Sequence, residues 1–111
     1  MKTDQPNMSY VHQLSGGDRD LEKQLFEVVR KELPQEVAAF NREIQTKNFE
    51  KAAMDVHKLK HKVMLLGVAE YYYFAEAYEE ELRVGINRHE DEFRRLINIL
   101  QMFVAGYYCG S

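Results

Sequence analysis

The chain has 111 residues, 45% hydrophobic and 30% charged, with a single Cys and a formal net charge of −3. That is one domain's length, enough for a core to bury roughly two-thirds of the unfolded surface without help from a metal, and one cysteine excludes a disulfide framework. No apolar run approaches the ~20 residues of a membrane span and Met1–Asn7 has no signal-peptide character, while mild acidity argues against nucleic acid or an anionic membrane as partner; a free-standing cytoplasmic domain is the expectation.

Residues 1–8 read as a flexible N-terminus. Ser9–Leu14 forms a short helix, and Ser15, Gly16 and Gly17 make a turn that places Asp18 as the N-cap of the next element. Leu21, Leu25, Val28, Val29, Leu33, Val37, Phe40 and Ile44 then recur every three or four residues, the stripe of an amphipathic helix. Pro34 interrupts the stripe without changing its phase, which predicts one kinked helix to about Thr46. Asn48 caps a second helix whose stripe is Phe49, Ala52, Val56, Leu59, Val63 and Leu66, ended by Gly67. A third runs from about Ala69 to Val84 with Tyr71, Phe74, Ala75, Tyr78 and Leu82 inward, closed by the Gly85-Ile86 pattern of a left-handed cap. Asn87 and Glu90 resemble a capping box opening a fourth, whose stripe is Phe93, Leu96, Ile97, Leu100, Phe103, Val104 and Tyr107. No segment has strand periodicity. The expected fold is all-α: an antiparallel up-down-up-down four-helix bundle over residues 9–107 with a short extra N-terminal helix, followed by a flexible C-terminus at 108–111.

Charge is unevenly spread. Val56–Ala69 holds three Lys, two His and no acidic residue, so this stretch carries +3 and the remaining residues −6. At about 100° per residue, Val56, Leu59, Val63 and Leu66 share one side of the second helix, while Met54, His57, Lys58, His61, Met64 and Leu65 fall on the other. Large apolar side chains around a histidine, rimmed by Lys58, Lys60 and Lys62, suit a docking surface for an acidic partner. A turn centred near Gly67 sets His57 level with Tyr78 or Glu79 in an antiparallel hairpin. A carboxylate there fixes the imidazole tautomer and makes the other ring nitrogen the better nucleophile.

His57-Lys58-Leu59-Lys60 with Gly67 ten residues after the His resembles the phosphoacceptor helix of histidine-containing phosphotransfer (HPt) domains. The resemblance extends to Leu14–Asp18, Glu32–Glu36, Asn48–Ala53 and Ala75–Gly85, and covers residues 10 to 105. It implies a phosphorelay intermediate: His57 takes a phosphoryl group from a receiver-domain aspartate and passes it to another, in a response regulator or hybrid sensor histidine kinase. It further implies Lys60 as the charge stabilising the phosphoryl group, Glu79 as the group orienting the imidazole, and Met54, Lys58, His61, Lys62, Met64 and Leu65 as the docking face. No cofactor is expected on this chain, with Mg²⁺ on the partner, and a monomer suits a shuttle that docks through one face. The chain departs from the family at His61 and Lys62, where Gly and a small residue are usual; either partner choice is retuned, or the chain is a docking module that no longer transfers. A metal-binding bundle is a weaker reading. His57 and His61 have the i, i+4 spacing of a two-histidine clamp and His89 is a third candidate, but Lys58 stands where HExxH has Glu and the neighbouring lysines repel a cation.

Overall fold

The computed structural model describes residues 5–107, and the expected flexible segment 108–111 lies outside them. Five α-helices, α1 (Ser9–Ser15), α2 (Arg19–Gln45), α3 (Phe49–Leu65), α4 (Tyr72–Arg83) and α5 (Glu90–Gly106), account for most of the described residues, which include no strand. A single 3-10 turn, Ala69–Tyr71, leads into α4. None of these helices is long and apolar enough to cross a membrane.

Helix starts follow local chemistry. The Asp18 carboxylate accepts from the amides of Asp20 and Leu21 at 2.9 and 3.1 Å, and Asn48 reaches the Lys51 amide at 3.4 Å, each satisfying donors that a first turn leaves unpaired. α2 passes through Pro34 as one element. The start of α5 differs from the capping-box expectation. Asn87 caps nothing; its amide donates to Glu90 at 2.9 Å and its carbonyl accepts from the Tyr78 hydroxyl at 2.6 Å, while His89 precedes the helix without a side-chain cap.

Packing selects among the apolar stripes. α3 contributes Ala52, Val56, Leu59 and Val63, all fully buried, and packs between α2 and α4, with α5 against α2. Phe40, Tyr78 and Phe93 meet with ring centroids 5.1–6.3 Å apart, joining α2, α4 and α5 in one aromatic cluster. On α2 the deepest early residue is Phe26, outside the predicted stripe, while Leu21 and Val28 are exposed. Val28 lies between Phe26 and Val29, both buried, so rotation around the helix, and not distance along it, turns Val28 outward.

Residues 5–8 are not the loose end expected of the N-terminus. Met8 is buried, and the Asn7 amide donates to the Leu66 carbonyl at 2.7 Å, so this segment straps the turn after α3. Gly67 in that turn has φ +84°, and a Cβ there would stand 2.6 Å from the Asn7 side chain, which itself accepts from the Ser9 amide. The equivalent turn after α2 uses Lys47 at φ 59°, a conformation that costs an L-residue roughly 1–2 kcal/mol. In urea unfolding, Gly67→Ala is expected to lose about 2 kcal/mol and Lys47→Gly to gain about 1 kcal/mol.

Candidate functional site

The α3–α4 hairpin brings His57 to Glu79. Nδ1 of His57 lies 3.2 and 3.3 Å from the two carboxylate oxygens. Two further donors converge on that carboxylate: Lys60 Nζ on Oε1 at 3.1 Å and Arg83 Nη2 on Oε2 at 2.6 Å. Burial pushes the Glu79 carboxyl up, but the hydrogen bonds from Arg83 and Lys60 outweigh it and hold the group below its ordinary range. An ionised carboxylate only accepts hydrogen bonds. In the neutral imidazole the proton therefore sits on Nδ1 and Nε2 carries the lone pair, in a side chain 51% exposed. Chemically this is an oriented, accessible nitrogen nucleophile whose ring would gain a counter-ion if it became positive.

Lys60, expected to stabilise a phosphoryl group, is turned to Glu79. It is 4% exposed, and its ammonium sits with Glu79, 3.8 Å from Glu76 and over the Tyr72 ring at 5.2 Å from the centroid. Burial lowers the affinity of this amine for its proton, yet the bond and charge of Glu79 prevail and hold it above the ordinary lysine value.

Lys62 is buried where exposure was expected. Five residues beyond His57, it projects at about 140° to it, is 5% exposed, and pairs with Glu32 and Glu36 of α2 at 2.9 and 3.0 Å. It ties α2 to α3 and does not lie on the exposed face expected for docking. Of the three lysines in the +3 stretch, only Lys58 stays exposed. The outward apolar cluster also shrinks. Met54 is exposed, Met64 is half-buried, and Leu65 packs against the core. His61 remains on the exposed face, its ring meeting that of His57 edge-on at 5.1 Å and 85°.

Sequence reasoning missed Arg83 and Asp55. Arg83 stands four residues after Glu79, a helical ion-pair spacing that was available to find it. Asp55 faces the charges of α2; burial, then Glu43, raises its carboxyl above the ordinary range. Its Oδ2 and Glu36 Oε1 are buried without a hydrogen-bond partner. His89, the third candidate for a metal clamp, instead contacts Glu81 at 2.9 Å and the Phe74 ring. Among the described residues no group of three or more His, Cys, Asp or Glu side chains is arranged to hold a metal ion. No protein-family model, curated protein or solved structure matches the chain, so the reading of the site rests on its geometry.

Substitutions at Glu79 and at Asp55 are expected to move stability in opposite directions. Glu79→Ala leaves the Lys60 ammonium buried without its carboxylate and costs about 3 kcal/mol; adding Lys60→Met recovers part of this. In that double variant the His57 ring, followed by long-range ¹H–¹⁵N NMR, loses its Nδ1–H preference. Because the Glu79 pKa is depressed on folding, its stabilisation is present above the ordinary carboxylate range and lost as pH falls through the folded value. The double variant lacks that acid loss. Asp55 has the opposite sign: a raised folded pKa favours the protonated form, so Asp55→Asn is expected to raise Tm at neutral pH, an advantage that vanishes as the solution is acidified.

Proposed function

We propose that the chain is an HPt-like phosphorelay intermediate on an antiparallel up-down-up-down four-helix bundle, with His57 as the phosphoacceptor. The observation that carries this reading is the hydrogen bond from His57 Nδ1 to an ionised, buried Glu79, which leaves Nε2 free on an exposed helix face. The lone pair of Nε2 attacks the phosphorus of a receiver-domain aspartyl phosphate; the N–P bond forms as the P–O bond breaks, and the aspartate carboxylate leaves with the electron pair. No proton has to depart from Nε2. The ring becomes an imidazolium, and Glu79 balances its charge. Positioning and charge stabilisation are what such transfers mainly require, and the receiver supplies Mg²⁺ and the acidic pocket. Transfer to a second receiver is the same step in reverse.

A docking module without transfer is the second reading, favoured by the His61 ring against His57 and by the loss of Lys60 and Lys62 from the exposed face. Incubation with a ³²P-labelled receiver domain separates the two. Transfer predicts label on the wild type and none on His57→Ala. A wild type that binds the receiver but takes up no more label than His57→Ala is an adaptor.

A further inference from the structure

If His57 carries a phosphoryl group on Nε2, as the reading above holds, the donors that meet that group are not those the lysine spacing suggests. The two nitrogens of an imidazole lie on different edges of the ring. Glu79 occupies the Nδ1 edge, and Lys60 and Arg83 are gathered on Glu79. A group on Nε2 points away from all three. For Lys60 to follow it, the ammonium would leave Glu79, Glu76 and the Tyr72 ring together and strand a buried carboxylate.

The exposed side offers something else. His61 lies one turn along the same face, its ring already in contact with His57, and neither ring is buried. Whichever tautomer it adopts, a histidine presents at least one N–H. With neither ring buried, that donor is free to turn to a dianionic group on His57.

We propose that His57 and His61 together form the phosphoryl-binding site: His61 donates a ring N–H to a phosphoryl oxygen carried on His57 Nε2, and Lys60 is a positioning residue that acts through Glu79. No proton need be transferred for this contact, and the bonds made and broken are those of the transfer step. His61, set by the sequence on the docking face where Gly is usual, becomes the group that holds the product.

The test uses the full chain and a donor that needs no partner, potassium phosphoramidate, with the modified residue located by peptide mapping and its loss followed by ³¹P NMR. Phosphohistidine at position 57 is expected to decay about tenfold faster in His61→Phe, which keeps an aromatic ring but no N–H donor, and within about twofold of wild type in His61→Gln, which restores a donor. In the wild type, phosphorylation should shift the ¹⁵N resonances of His61 and leave Lys60 Nζ unmoved. Equal decay in wild type and His61→Phe, or a response at Lys60 instead of His61, overturns the inference while leaving the phosphorelay reading intact if the labelled receiver still modifies His57. Absence of label at His57 from both donors overturns the two together.

Discussion

One carboxylate organises the functional half of this molecule. Glu79 is buried, ionised and shared among His57, Lys60 and Arg83, so removing any one donor alters how the others are held. A buried charge is tolerable only when its lone pairs are satisfied, and here that structural requirement and the orientation of His57 are one arrangement. Arg83 and Lys60 hold Glu79 ionised, and an ionised Glu79 can only accept from the His57 Nδ1–H.

That arrangement depends in turn on the core. Tyr78, fully buried against Phe40 and Phe93 and tethered through its hydroxyl to Asn87, sets the rotation and height of α4. Its neighbour Glu79 is thereby turned to the α3 side of the helix, level with His57. The strap of Asn7 over the turn at Gly67 closes the same hairpin from its end. Register, which decides whether carboxylate and imidazole meet, is thus enforced at the aromatic cluster and at the turn, both away from the site itself.

Charge tells a different story in the folded chain than along it. The +3 stretch becomes a mostly neutral face, because Lys60 and Lys62 lay their stems along apolar surface and deliver their ammonium groups to Glu79 and to Glu32 and Glu36. Lysines two positions apart therefore serve different interfaces, one between α3 and α4 and the other between α2 and α3. Of the residues that the sequence set around His57, Lys58, His61 and Met54 are left exposed, and α4 adds the exposed Arg83 on Glu79.

The helices, the caps at Asp18 and Asn48, and the approach of His57 to Glu79 were legible in the sequence, since periodicity, capping chemistry and counting from a glycine turn are local arguments. Even Lys62 was partly legible, because five residues of helical rotation carry it off the His57 face. Its partners were not: Glu32 and Glu36 lie 30 and 26 residues away in the chain, and no local rule connects them. The same holds for the exposure of Leu21 and Val28, which depends on which side of α2 its neighbours cover. The sequence by itself determined an all-helical chain with an oriented histidine on an exposed helix face. Only the tertiary structure decided which cations remain beside that histidine, because long flexible side chains are assigned their partners by packing between helices and not by their position within one.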